Sequence, residues 1–378
     1  MACLAAKVSF VSRRIAIICP YALSIFGGVQ EQVLAMSREL TARGNEVLVI
    51  SPDSSDLSEY ETTAKVSHFG RLLSIPANGS RAPITLSFSA ARKARKLVSE
   101  FQPDIVHFHE PFAPLVGWAI LRSHTAPSVA TFHRSGDGPA FSLTSPLLKW
   151  LSKYLDVAAS VSSQAEKTIK KAVGIESKVL FNGFEISRFV ETPRERSGEV
   201  TLTTIGRLED RKGTATAISA VKSHNSNGTN QWKLIVIGDG PERSKLEALS
   251  GRDENIVFVG AANDVDKRAW LRRSNALLCP ALKGESFGLV LLEGMASETS
   301  VIASDIDGYR DAAGSFATLF QPGSSTSLEQ AISKALLSET SESLSAARNH
   351  AENWSMSRLI DQYETLYSEA TLRFQSNR

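Results

Sequence analysis

IAIICPYALSIFGGVQEQVLAMSREL, residues 15–40, reads as a strand, a glycine-bearing loop and an amphipathic helix in immediate succession. The β-branched run at 15–20 is too short for a helix and ends at a proline. After Gly27 and Gly28, Val29, Val33, Met36 and Leu40 fall on one helical face, and Gly44 closes the helix. A strand followed at once by a helix is the repeating unit of a parallel sheet, so recurrence of the pattern decides the fold class as α/β.

The pattern does recur, in two sets. The first comprises IAIICP (15–20), EVLVISP (46–52), DIVHFHE (104–110) and SVATFH (128–133). The second comprises TLTTIG (201–206), KLIVIGDG (233–240), NIVFVG (255–260), ALLCP (276–280) and SVIASD (300–305). Between them the polar segment 182–199 reads as a linker. The 378 residues, 42% of them hydrophobic, exceed one comfortable core, which also favours two domains. We place them at 1–187 and 188–355, with the C-terminal helix 356–378 packing back on the first.

A formal net charge of +2 excludes a general nucleic-acid binder. The three cysteines, Cys3, Cys19 and Cys279, have no paired spacing, and this points to a reducing, cytoplasmic compartment. Lys7, Arg13 and Arg14 break the apolar N-terminus before a secretory segment can form, and no run is long enough to span a bilayer. Any membrane contact is therefore expected to be peripheral.

Ligands of open α/β sheets sit beyond the carboxyl ends of the strands, and the unusual residues fall there. Gly28 opens a helix whose free N–H groups suit a phosphate, although the same glycines also suit a tight turn. GRLEDRKG (206–213) sets Arg207 and Lys212 five residues apart, with Arg211 between, as candidates to converge on a diphosphate or to form a solvated basic turn. VIGDGPER (236–243) lacks the third glycine of a dinucleotide fingerprint, so a nicotinamide site is rejected. KGESFGLVLLEGMAS (283–297) suggests a helix from about Ser286 through Met295. Glu285 would stand at its entrance beside the N–H groups of Ser286, Phe287 and Gly288, and Glu293 about 12 Å further along. His107 and His109 share a strand face with no third metal ligand in sight. His133 ends its strand at a loop, where it is either displayed for chemistry or packed. Asp264, Asp266, Asp305 and Asp307 read as caps or turns rather than metal ligands.

Taken in order, GGVQ, GRLEDRKG, GDGP and ESFGLVLLE resemble the retaining family 4 glycosyltransferases of GT-B fold, over nearly the whole chain. PYALSIFGGVQ, IPANGS, DIVHFHEPFAP and ATFHRS are specifically similar to the phosphatidylinositol mannosyltransferases of actinobacterial type. The resemblance implies two Rossmann-like domains with parallel sheets facing a central cleft, and GDP-mannose as donor. It implies Gly28 beside the donor phosphates, Arg207 and Lys212 on the diphosphate, and Glu285 with the amides of Ser286, Phe287 and Gly288 on the transferred sugar. Glu293 would hold the ribose, His133 would touch the sugar at the reaction centre, and Tyr21, Gln30 and Asn78 would line the acceptor site. The chain departs from the subfamily at Ala77, where an aromatic residue is usual, and at Pro83, where an arginine is usual; Arg81 would compensate.

The expected activity is therefore mannosyl transfer to phosphatidylinositol or a related lipid, by a same-face mechanism, with no metal or other cofactor. The protein would sit at the inner face of the plasma membrane. The competing readings are a soluble transferase acting on a small sugar or sugar phosphate, and a nucleotide-sugar-binding protein without turnover. FSAARKARKLVSEF (88–101) reads either as an ordinary core-packed helix with a solvated face or, beyond that, as the expected membrane contact. Phe88, Ala91, Ala94, Leu97, Val98 and Phe101 fall on one side, and Arg92, Lys93, Arg95 and Lys96 present four cations to an anionic bilayer.

Overall fold

The computed structural model describes residues 12–24, 27–52, 64–69, 73–77, 80–84, 86–133, 139–190, 198–227, 231–285 and 287–378, with the backbone alone for those at 68–84 and 139–144. The chain forms two compact units, Met1–Gly183 with Met356–Arg378, and Phe184–Ser355.

In the first unit the strands are β1 (Arg14–Ile18), β2 (Glu46–Pro52), β3 (Lys65–Phe69), β4 (Leu73–Ala77), β5 (Ser80–Ile84), β6 (Ile105–His109), β7 (Ser128–Phe132), β8 (Val157–Ser160) and β9 (Lys178–Val179). Seven form one parallel sheet in the order β3-β2-β1-β6-β7-β8-β9, and β4 and β5 pair separately as an antiparallel hairpin. Strand β1 shows why the apolar run is continuous. Ile15 and Ile17 face helices Gly28–Ala42 and Met356–Ser376, while Ala16 and Ile18 face helices Phe88–Phe101 and Val116–Leu121. Side chains alternate across a strand, so a sheet covered on both faces needs apolar residues at every position.

The C-terminal helix buries Leu359, Ile360, Tyr363, Leu366, Tyr367 and Ala370 on the first unit. Each large apolar side chain fully buried in this way is worth about 1.5–3 kcal/mol. Helix Phe88–Phe101 buries Ala90, Ala91, Ala94, Val98 and Phe101, and its N-cap Ser87 accepts from the Ala90 N–H. Phe88 departs from the sequence expectation: it is 80% exposed, because it stands at the first helical position, ahead of the packed turn.

In the second unit β10 (Val200–Ile205), β11 (Trp232–Ile237), β12 (Ile256–Gly260), β13 (Ala276–Cys279), β14 (Ser300–Ser304) and β15 (Ala317–Phe320) form a parallel sheet in the order β12-β11-β10-β13-β14-β15. This unit begins before residue 188, because Phe184 and Phe189 from the expected linker are buried in its core. In both sheets strand order reverses at one strand, β1 in the first and β10 in the second. Such switch points leave a crevice at the carboxyl ends of the strands.

Candidate active site

Pockets occupy both crevices. In the second unit, Thr204 and Ile205 at the end of β10 with Gly206 after it, Ile237 of β11, and Cys279 at the end of β13 with Pro280 after it surround a pocket that Lys212, Val290 and Tyr309 complete. Gly213 lies at φ +67°, and a Cβ there would strike the Pro280 carbonyl, so only glycine lets the two loops meet. The Leu282 N–H donates to the Arg211 carbonyl at 2.8 Å, which joins the same loops from the other side.

These loops carry an ion network. Lys212 Nζ lies 2.6 Å and Arg211 Nη1 3.0 Å from Glu285 Oε1; Arg211 Nε lies 2.9 Å and Arg207 Nε 3.2 Å from the two oxygens of Glu209. Arg207, Arg211 and Lys212 are thus gathered on two carboxylates beside the crevice, cations of the type that bind a diphosphate. Arg207 and Lys212 reach this network through different carboxylates, Glu209 and Glu285. The sequence reading missed Glu209 as the carboxylate that holds Arg207 and Arg211, although it sits inside GRLEDRKG.

Glu285 does not open a helix. The helix runs Leu289–Ala296, with Gly288 at φ +93° as its N-cap, so the Glu285-to-Glu293 spacing is not that of one continuous helix. The reason is local: a Cβ on Gly288 would collide with the Tyr309 ring, and the left-handed residue breaks any earlier turn. Phe287 is buried in the core beside Trp354, which leaves only its backbone for a ligand. Ser286 lies outside the described residues.

Glu293 is buried, and Lys267 Nζ lies 2.9 Å from its Oε1. Lys267 also reaches Asp264 Oδ1 at 3.3 Å and stands 5.6 Å from the centre of the Phe189 ring. Nothing in the sequence pairs Lys267 with Glu293. Burial pushes the Tyr309 and Cys279 pKa values up, so both stay neutral. Gly238 and Gly240 of GDGP pack against the backbone of Gly206 and Leu208, so these two glycines serve loop packing.

The sequence reading made Asp264, Asp266, Asp305 and Asp307 caps or turns; the N-caps are instead Asn263 and Ile306, and Asp264, Asp305 and Asp307 are held in ion pairs. Asn263 caps the helix that Asp264 begins, Asp264 is paired with Arg188, Lys267 and Arg268, and Asp305 and Asp307 both hold Arg310. Among the described residues no group of three or more His, Cys, Asp or Glu side chains could hold a metal.

In the first unit, Ile18 at the end of β1 with Pro20 beyond it, and Phe108 and His109 of β6 with Glu110 just after it, line the other pocket. Gly28 opens helix Gly28–Ala42 with open space where a Cβ would stand. Gln30 is buried, and its amide donates to the Ala22 carbonyl at 3.3 Å; Tyr21 is part-buried against the core. Asn78 lies outside the described residues, and for Arg81 only the backbone, in β5, is described.

Three histidines gather here. His107 Nδ1 and Nε2 lie 2.8 Å from the Tyr367 and Thr131 hydroxyls, and Thr131 in turn lies 2.8 Å from the Tyr363 hydroxyl. His109 Nδ1 lies 2.8 Å from His133 Nε2. Burial pushes His107 down to about 3 and His133 to about 4, and holds His109 well below the usual histidine range, with the neighbouring imidazoles adding to the shift for His107 and His109. The trio is therefore neutral at physiological pH. No titratable partner for His133 was visible in the sequence, because strand register alone brings residue 109 beside residue 133.

Two family models cover most of the chain: Glycosyltransferase Family 4 over residues 26–188 and Glycosyl transferases group 1 over 186–354. The phosphatidyl-myo-inositol mannosyltransferase of Mycobacterium leprae is 34% identical over 79% of this chain and 80% of its own, and that of Propionibacterium freudenreichii is 30% identical over 97% of both.

The chain belongs to the family 4 glycosyltransferases.

Solved structures of this architecture agree on the fold. A glycosyltransferase from Rickettsia africae matches with a TM-score of 0.73 over 96% of this chain and 99% of its own, at 16% identity. Anabaena HepE, solved with UDP-glucose, matches at 0.71 over 94% and 100%, at 19% identity. The fold is GT-B, with two Rossmann-like parallel-sheet domains, and the protein is a glycosyltransferase. No helix among the described residues is long and apolar enough to cross a membrane.

Proposed function

We propose that this glycosyltransferase moves mannose from GDP-mannose to the inositol of phosphatidylinositol or a related lipid, with retention of anomeric configuration, at an anionic membrane surface. The observation that carries the reading is the set of relatives named phosphatidyl-myo-inositol mannosyltransferase, 30–34% identical over 77–97% of their length.

The geometry supports the chemistry. The Arg207–Glu209–Arg211–Glu285–Lys212 network is preorganised cationic surface for the charge that grows on the departing diphosphate. Glu285 holds Lys212 in place and, with the amides of residues 286–288, takes the transferred sugar. Glu293, oriented by Lys267, takes the ribose, and Gly28 admits the donor phosphates. His133 touches the sugar as a neutral imidazole. Tyr21, Gln30, Asn78 and Arg81 serve the acceptor, and Arg92, Lys93, Arg95 and Lys96 the bilayer. With cations covering the leaving group, no metal is required, and departure and attack on the same sugar face through an oxocarbenium-like species give retention.

The test is turnover, with EDTA present throughout, over a panel of GDP-, UDP- and ADP-sugars against phosphatidylinositol vesicles and soluble sugar acceptors. GDP-mannose with phosphatidylinositol should give the fastest transfer. Preference for another donor, or for a soluble acceptor, would replace this reading.

A further inference from the structure

His109 and His133 share a hydrogen bond between two neutral imidazoles, and the proton in it belongs to one ring or the other. The rings lie 5.1 Å apart at 23°, and His109 is 1% exposed. A neutral imidazole carries one N–H and one bare nitrogen. If His133 donated from Nε2, His109 would have to carry its own proton on Nε2, a buried atom with no partner among the described residues. That would leave an orphaned buried N–H, which folded proteins very rarely tolerate. If His109 donates from Nδ1, the unpartnered atom is a bare nitrogen, the milder deficit.

Among the described residues the neighbours leave no competing arrangement. His107 uses both its nitrogens on Tyr367 and Thr131. Glu110 accepts the backbone N–H of His133 at 2.6 Å, and does so from a backbone at φ +50°, a left-handed conformation that a non-glycine residue adopts only under constraint. Consecutive residues at the end of β6 thus grip His133 twice, the Glu110 carboxylate through the His133 backbone N–H and the His109 ring through the His133 imidazole.

We propose that His109 is the positioning residue of His133: it donates from Nδ1 to His133 Nε2, and so fixes His133 as the Nδ1–H tautomer, a hydrogen-bond donor to a sugar oxygen rather than a base acting through Nε2. This rests on the reading that His133 touches the transferred sugar.

The test begins with the full-length protein carrying 15N-labelled histidine, in two-bond proton–nitrogen correlation spectra at pH 7, with signals assigned through His133→Gln and His109→Asn. His133 should show a protonated Nδ1 and a bare Nε2. A protonated Nε2 on His133 in the unmutated protein overturns the proposal, whatever the variants do. His109→Phe should shift His133 toward the Nε2–H form and lower kcat at least about tenfold, the scale at which orienting partners of an imidazole act. Its donor KM should stay within about twofold, since ground-state binding is not what is lost. His109→Asn, whose amide N–H stands where Nδ1–H stood, should restore most of the rate. A folded His109→Phe with unchanged kcat also overturns the proposal. Full activity in His133→Ala, with the Nδ1–H tautomer observed, would support the tautomer assignment and defeat the sugar-contact reading on which its role depends.

Discussion

Lys267 Nζ lies 2.9 Å from Glu293 Oε1, with the two side chains only 11% and 10% exposed. A pair so covered has given up most of its hydration, and each member depends on the other to offset that cost. The residue assigned to the ribose is therefore held by a partner from a different helix, Asp264–Arg273.

Lys267→Met should leave Glu293 buried without its cation and destabilise the second unit by about 3–5 kcal/mol. Adding Glu293→Leu should recover much of that loss without recovering GDP affinity, because the ribose contact is gone. Thermal unfolding and calorimetric GDP titration of both variants read this out. A stable single variant, or a double variant that binds GDP normally, would contradict the assignment.

Lys212→Met removes the cation closest to Glu285 and should slow transfer by about 10²–10³-fold, the typical effect of losing one preorganised charge at a developing anion. Circular dichroism should show the fold unchanged. Near-normal kcat would move the diphosphate site elsewhere.

The buried histidines set a direction for acid stability. His107 and His133 titrate near 3 and 4 when folded, against about 6.5 when unfolded, so below pH 6.5 the unfolded chain binds more protons. From these groups stability should be level above about pH 6.5 and fall as pH drops toward 4. Unfolding temperatures across pH 4–8 test the sign; a stability maximum near pH 5 would contradict it.

Arg92, Lys93, Arg95 and Lys96 are all exposed, and Lys96 lies 3.5 Å from Glu100. Changing the four to serine should abolish salt-sensitive binding to anionic vesicles and leave GDP affinity intact. Changing Phe88 alone to serine should weaken vesicle binding with the cations in place, since it is exposed beside them. Unchanged vesicle binding in the four-serine variant would remove this helix as the contact.

The strands that form the two switch points, β1, β6, β10 and β13, were legible as short apolar or β-branched runs that end in Gly, Pro or polar loops. Strands β8, VAAS, and β15, ATLF, were not, since four small or mixed residues carry no periodicity. The β4–β5 hairpin was missed although Asn78-Gly79 stands between two short strands, the strongest local hairpin signal. The candidate site was legible where its residues are close in sequence. Arg207, Lys212 and Glu285 announced themselves beside glycines at strand ends, whereas Glu209 gave no sign of its organising role. The pairs Lys267–Glu293 and His109–His133 are made by helix packing and sheet register, and 26 and 24 residues of separation hide them. The helix start at 289 was misread because the left-handed conformation of Gly288, which breaks an earlier turn, was not read from the sequence.

The most direct test of the central claim is to incubate the protein with GDP-[13C]mannose and phosphatidylinositol vesicles and examine the lipid extract by mass spectrometry and one-bond carbon–proton coupling at the anomeric centre. The account predicts a single mannosyl group on the inositol lipid, in the α configuration of the donor. A β product, or labelled mannose found only in water-soluble material, would contradict it.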